Sequence, residues 1–380
     1  MPVRFDFLDG VRGVMCAIVV VYHVFIHPAS LASTLESNFW LGFVVNGHLA
    51  VEMFWVASGF SLACVTEPES VVKAMIARLP RLFIPIVCAV PVSMLVLGVF
   101  HPIAFLRNPC ALVLNILNPK TSVHLNPFLT DNFAQLWSLT AEIYGSFVVL
   151  ATTLVRPHVA RPFVPTALAV AWLYYAAPDV VFLLVGVLAR EVHLRVLPPI
   201  RDTPKGTAVA VASTLTFFGI HFFVERFRQV YIWGPNAART GLLYNWARLI
   251  RCCALFTAIG SSSVAASFFE TRVALFLGRN SFAVYICHLT VIRFFQQFAV
   301  LNPLALRLVI VLTVSYVFSE YCWRHVDTAA MKWSKAFAGV WIRGNAGSAT
   351  GGPAKQLEYV VARRHSWNGD DSESARTVII

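Results

Sequence analysis

The sequence predicts an all-α integral membrane protein of about ten transmembrane helices around a polar cavity, with no separate soluble domain. Composition, the spacing of apolar runs, and ionisable residues set inside those runs carry this expectation. Of 380 residues, 58% are hydrophobic and 13% charged, against ~45–50% and ~25% in an ordinary soluble domain. A soluble chain of this makeup lacks the polar surface to cover its core, whereas lipid tails solvate apolar side chains directly.

The candidate spans run over 11–28, 49–66, 82–101, 134–155, 163–178, 179–194, 207–225, 249–269, 280–299 and 303–325. Gly, Pro and polar residues interrupt several, and little more than Ala177-Pro178-Asp179 separates the fifth from the sixth. The run Val14 to Ile26 follows a basic segment, as a signal peptide would. However, Asp6 and Asp9 dilute the basic flank, Tyr22 and His23 interrupt the run, and Pro28-Ala29-Ser30 makes a poor cleavage site. A retained first helix is expected. Residues 102–132, with Pro102, Pro109, Pro119 and Pro127, read as re-entrant or surface-lying. The composition changes at Gly344, so a membrane domain over 1–335 and a disordered tail over 344–380 are expected.

The net charge of +11 raises the question of a nucleic-acid partner. Most Lys and Arg lie between apolar runs, where the positive-inside bias places them. No zinc-finger spacing, RNA-binding motif or basic helix accompanies them, which argues against nucleic acid. The same bias sets both termini in the cytosol. Arg4, Arg12, Lys73, Arg78, Arg81, Arg156 and Arg161 fall on inside segments, and 29–47 has no Lys or Arg. The segment 226–251 disagrees: it should face outside yet carries Arg226, Arg228, Arg239, Arg248 and Arg251. Either these cations have a function or a span is miscounted. The eight cysteines form no CxxC pair, and all but Cys110 lie in apolar stretches. They read as small buried hydrophobes, with no metal site.

An ionisable side chain inside a membrane is costly and marks a functional candidate. Arg12 and His23 lie eleven residues apart, so on a helix they differ by ~20° in direction and ~16 Å in height. They share a face. With Arg12 at the headgroup level, His23 reaches near the middle of the ~30 Å core. A neutral imidazole there can accept a proton, and a permanently charged guanidinium at the rim can grip phosphate or carboxylate. Read plainly, Arg12 is a positive-inside anchor and His23 a hydrogen-bonded core histidine. Further polar residues in other spans are Glu52, Ser58, Glu142, His288 and Glu320, with Arg78 and Arg81 flanking Pro80 ahead of the third. Acids and histidines spread over separate spans can converge only in a shared polar cavity.

These residues, in this order, resemble the membrane-bound acyltransferase-3 family. Leu8-Asp9-Gly10-Val11-Arg12-Gly13 followed by His23 is similar to its L-D-G-x-R-G opening and R-x10-H spacing. Val51-Glu52-Met53-Phe54-Trp55-Val56-Ala57-Ser58-Gly59-Phe60 resembles V-D-x-F-F-V-L-S-G-F, with Glu for Asp. Arg78-Leu79-Pro80-Arg81-Leu82-Phe83-Ile84-Pro85 resembles R-x-x-R-[LI]-x-P. Leu136-Trp137-Ser138-Leu139-Thr140-Ala141-Glu142 fits L-W-S-L-x-x-E, and 278–288 fits G-x-x-S-[YF]-x-x-Y-x-x-H through Ser281, Tyr285 and His288. Val326-Asp327 stands where the family has Val-[Glu/Asp]-x-Pro, but Ala329 replaces the proline. No hydrolase-like domain follows, so the stand-alone form is expected.

The resemblance implies transfer of an acyl group, often acetyl, from acyl-CoA to a hydroxylated acceptor, by an enzyme bathed in membrane lipid. It makes Arg12 and His23 the essential pair. His23 then serves as general base on the acceptor hydroxyl, and Arg12, Arg78 and Arg81 hold the CoA phosphates. Glu142 orients either His23 or the acceptor, and Glu52, Ser58, Trp137, Tyr285 and His288 line the substrate site. The sequence leaves open direct transfer or an acyl-enzyme. The rival reading is a transporter using the same cavity, which explains buried His and Glu but not the ordered motifs or the arginine trio.

Overall fold

A computed structural model describes residues 5–26, 38–65, 67–97, 137–155, 166, 169–170, 178–197, 200–233, 237–296 and 303–349. Among these residues the secondary structure is helical, with no strand. The helices are α1 (Asp6–Ile26), α2 (Phe39–Val44), α3 (Gly47–Ala63), α4 (Pro68–Val96), α5 (Trp137–Val155) and α6 (Pro178–Arg195). They continue as α7 (Pro204–Trp233), α8 (Ala237–Ser261), α9 (Ser263–Phe269), α10 (Arg272–Gln296), α11 (Leu304–Cys322) and α12 (Thr328–Ala349). A π-helical turn, Trp323–Asp327, joins the last two.

Among the described residues, 7 helical stretches are long and apolar enough to cross a membrane, or 8 if the bent pair Leu243–Ser261 and Ser263–Phe269 makes one span. The protein is therefore a multi-pass helical membrane protein, with fewer such helices than the apolar runs suggest. Three local causes account for the difference. The expected span 163–178 lies almost wholly outside the described residues. Helix α6 carries Asp179, Arg190, Glu191 and Arg195, too many charges for a lipid-facing span. Its Val180–Val187 stretch is buried instead by packing against α3, α5 and α8. The expected span 249–269 breaks at Ser262, whose hydroxyl caps α9 by accepting from the Ala265 N–H at 3.2 Å, and the chain bends there by 101°.

The segment 102–132 and Cys110 lie outside the described residues, as does most of the 344–380 segment, although α12 runs on to Ala349. The other seven cysteines are free thiols. Helix α4 begins at Pro68, so Arg78 and Arg81 sit within a helix that also contains Pro80, Pro85 and Pro91.

Helix α1 packs against α10 and α3, and α3 in turn against α6. Small residues set these contacts, because apolar helices in lipid associate by close approach rather than by escape from water. A Cβ on Gly13 would lie 2.3 Å from the Gly278 backbone nitrogen, and one on Gly59 would lie 1.9 Å from the Leu183 carbonyl oxygen. Val11, Val19, Val20, Met53, Val56 and Phe60 fill the core between these helices. Helix α1 begins at Asp6, ahead of the apolar run, and ends at Ile26, so His23 lies in its last described turn.

Candidate active site

The Arg12 end of α1 meets the C-terminal half of α3. Arg12 Nη2 donates to Ser61 Oγ at 2.9 Å and to the Ala57 carbonyl at 3.4 Å, and Nη1 pairs with Asp9 at 3.2 Å. Asp9 precedes Arg12 by three residues, the spacing that puts two side chains on neighbouring turns. From α4, Arg78 Nε donates to Ser146 Oγ at 3.0 Å and Nη2 to Ser58 Oγ at 3.1 Å, and the same guanidinium forms an ion pair with Glu142. Ser58 Oγ also donates to Glu142 Oε1 at 2.5 Å. Arg81, exposed on the same helix, lies within electrostatic reach of Arg12, Glu142, Asp9 and Asp327.

Four helices thus bring Arg12, Arg78, Arg81, Ser58 and Glu142 together. Asp9, Glu142 and Asp327 lie within reach of the three arginines, and Glu142 Oε2 is buried with no hydrogen-bond partner among the described residues. Arginines present planar forked donors of the kind that grip phosphate or carboxylate.

His23, two to three turns further along α1, faces α10 instead. The His23 and His288 rings lie 5.1 Å apart, centroid to centroid, tilted by 46°. Tyr22 packs edge-on to His23 at 5.5 Å and against His48 at 5.9 Å. Fully buried His288 directs Nδ1 at two backbone carbonyls, Val284 at 3.2 Å and Tyr285 at 2.9 Å. Carbonyls only accept, so in the neutral ring Nδ1 carries the hydrogen and Nε2 keeps the lone pair. Tyr285 Oη and Ser138 Oγ share a hydrogen bond of 2.5 Å. Tyr285 stacks on Phe54 at 6.3 Å, and Trp55 Nε1 donates to the Ser138 carbonyl at 3.3 Å. Ser138 and Glu142 are one turn apart on α5, so that helix joins the histidine group to the arginine group. Trp137 opens α5, and its side chain lies outside the described residues.

Glu52 belongs to a different cluster. Its Oε1 accepts from Arg248 Nε at 2.6 Å and its Oε2 from Arg251 Nη2 at 2.9 Å. Arg251 Nη1 also lies 3.0 Å from His221 Nδ1 and 3.4 Å from Glu225, whose Oε1 accepts from Asn46 Nδ2 at 2.7 Å. Arg248 stacks over Phe182 at 5.1 Å and reaches Asp179 at 3.6 Å. The Asn46 side chain also caps α3, accepting from the Leu49 N–H at 2.8 Å. Both Glu52 oxygens, expected at a substrate, are therefore engaged by arginines of α8. Two of the five cations of 226–251 are thereby accounted for: Arg248 and Arg251 point into the bundle rather than decorating a loop. Glu320, the remaining intramembrane acid, binds Arg279, Arg324 and Asn280.

Asp9, Ser61, Ser138 and Ser146 were not expected at functional positions, and Arg248 and Arg251 stood out only as cations that either have a function or mark a miscounted span. Asp9 and Arg251 carried readable signals, an acid one turn before Arg12 and a second arginine one turn after Arg248. The serines carried none, because a serine in an apolar helix commonly bonds its own backbone. Among the described residues no group of three or more His, Cys, Asp or Glu is placed to hold a metal ion.

Buried arginine, acid and histidine groups brought together from separate spans define a multi-pass membrane protein with a chemically equipped interior. The acyltransferase-3 family, described as “Acyltransferase domain”, matches residues 5–324, and the chain belongs to that family. The chain is similar to the O-acetyltransferase OatA of Staphylococcus aureus, at 22% identity over 368 residues in strains NCTC 8325 / PS 47, COL and MRSA252. The alignment covers 87% of this chain but 58% of each relative's length. No solved structure matches the chain.

Proposed function

We propose that this protein transfers an acyl group, acetyl in the first instance, from acyl-CoA to a hydroxyl of a carbohydrate, lipid or small metabolite. The observation that carries the reading is the placement of two kinds of chemistry along one helix. Arg12 joins Arg78 and Arg81 at one end of α1, and His23 meets a second imidazole toward the other. The match to an O-acetyltransferase supports acetyl as the group and oxygen as the acceptor atom.

In this reading the arginine trio holds the CoA phosphates at the cytosolic face, with both termini on that side. The inward orientation of Arg248 and Arg251 supports this sidedness, since it removes two cations from the outside count. Glu142 acts at the donor end, where it steadies Arg78 beside Ser58. Ser138, Tyr285 and His288 line the way from there to His23, in a polar cavity between α1, α5 and α10. Glu52 serves to hold α8 against α3.

The chemistry balances as a direct transfer. The acceptor oxygen bonds to the thioester carbonyl carbon as His23 takes its proton, the C–S bond breaks, and the CoA thiolate leaves and recovers a proton. A positioned base of this kind contributes ~10²–10⁴-fold to rate. The test is purified protein in lipid with radiolabelled acetyl-CoA and a panel of hydroxylated acceptors. Label moving onto an acceptor with release of free CoA supports the proposal. Failure to consume acetyl-CoA with any acceptor, together with movement of a solute across sealed vesicles, would replace it with a transporter.

A further inference from the structure

We propose that His288 is a positioning residue for His23, accepting through Nε2 the hydrogen bond of the His23 imidazolium formed when the acceptor's proton is taken. This rests on the reading of His23 as the base.

Three observations carry it. The two rings are neighbours at 5.1 Å between centroids and 46° between planes. Two imidazoles joined by an N–H···N bond of ~2.9 Å have centroids about 5 Å apart, so this separation admits such a bond. The His288 side chain is anchored at Nδ1 by the Val284 and Tyr285 carbonyls, which fixes the lone pair on Nε2. His288 is also fully buried, at 0% exposure, so solvent does not compete for that lone pair.

The physical need is specific to acyl transfer by a base in this location. An imidazole that takes a proton among apolar helices becomes a cation with few groups to solvate it, and a cation in such surroundings is costly. A fixed neighbouring lone pair accepts from the N–H that neutral His23 carries on its other nitrogen, and that bond strengthens as the ring gains charge, so it favours the transition state over the ground state. The proton then stays in the imidazole pair until the thiolate leaves and takes it up. Tyr285 contributes to the same arrangement: its carbonyl fixes His288, while its hydroxyl is held by Ser138.

The experiment separates this role from simple packing by replacing one ring nitrogen at a time. His288→Asn keeps a donor near the Nδ1 position but has no acceptor where Nε2 stands. His288→Gln places an amide oxygen near Nε2 and gives up the tie to the carbonyls. Both are compared with wild type at equal amounts of monodisperse protein, with thermal midpoints recorded, for kcat and for KM of acetyl-CoA. The expected result is a ~10–100-fold loss of kcat in His288→Asn with KM unchanged, the size of a lost charge-assisted hydrogen bond. His288→Gln should retain most of kcat. Wild-type kcat in His288→Asn, or equal losses in the two variants, would overturn the inference. His23→Ala run in parallel tells the two claims apart. Full transfer by His23→Ala defeats the base itself, whereas an inactive His23→Ala beside a fully active His288→Asn defeats only the role given to His288.

Discussion

Replacing Glu52 by glutamine keeps the side chain's volume and removes an anion that Arg248 and Arg251 share. Glu52 and Arg251 are each 1% exposed, and their Oε2–Nη2 distance is 2.9 Å. Removing one member of such a pair strands the other charge, at a cost of ~3–5 kcal/mol. Here the stranded arginines keep weaker partners. Arg251 retains Glu225 at 3.4 Å and His221 at 3.0 Å, and Arg248 retains Asp179 at 3.6 Å. We therefore expect the lower end, about 3 kcal/mol. With an unfolding entropy of ~2.1 cal/mol/K per residue over 380 residues, the thermal midpoint should fall by about 4 °C. The assay is thermal unfolding of detergent-purified protein, read as the fraction that stays monodisperse after heating. Glu52→Gln/Arg251→Gln should recover more than half the loss, because the stranded cation goes with its partner. A midpoint for Glu52→Gln within about a degree of wild type would refute the reasoning, since it would mean the pair is open to water.

Other outcomes follow from the same geometry. Gly13→Ala should reduce folded yield and transfer activity, because its Cβ would fall 2.3 Å from the Gly278 nitrogen. Gly219→Ala, whose Cβ has nothing within 4 Å, should instead hold or raise stability by ~0.5–1 kcal/mol, read by the same melts. Arg81→Ala should raise KM for acetyl-CoA several-fold at low salt with kcat little changed. That difference should shrink as ionic strength screens the contact with phosphate, as steady-state kinetics at two salt concentrations would show. Glu142→Gln leaves the Arg78 guanidinium without its ion-pair partner, so both the melting temperature and donor binding should fall.

Much of this arrangement is readable in the chain itself, and what is not has physical causes. The apolar run from Val14 to Ile26 announces α1, and the spacing of Arg12 and His23 puts both on one face of it. Spacing could not say which neighbour each would meet. Arg12 turns to Ser61 on α3 and His23 to His288 on α10, the two helices that pack against α1. Arg78 and Glu142 were recognised separately as costly charges. Their pairing is a tertiary contact, bridged by Ser58, that no local pattern encodes.

Residues 226–251 show the opposite failure. Counting cations assigned Arg248 and Arg251 to a loop, since the positive-inside bias assumes that basic residues near span ends face water. The buried anion that draws them inward, Glu52, lies almost 200 positions earlier in the chain. The break at Ser262 escaped a hydropathy reading because the residues on both sides are equally apolar. A serine hydroxyl that caps a new helix changes direction without changing composition.

The central claim is a division of labour along α1, donor binding at Arg12 and proton removal at His23. It is tested most directly by kcat and KM for acetyl-CoA in His23→Ala and Arg12→Ala, measured on equal amounts of folded protein with one identified acceptor. We predict that His23→Ala loses at least ~100-fold in kcat with KM for the donor nearly unchanged. Arg12→Ala should raise that KM by about tenfold while residual turnover persists. If both variants turned over at the wild-type rate, or if the losses were exchanged between them, the division of labour would be contradicted.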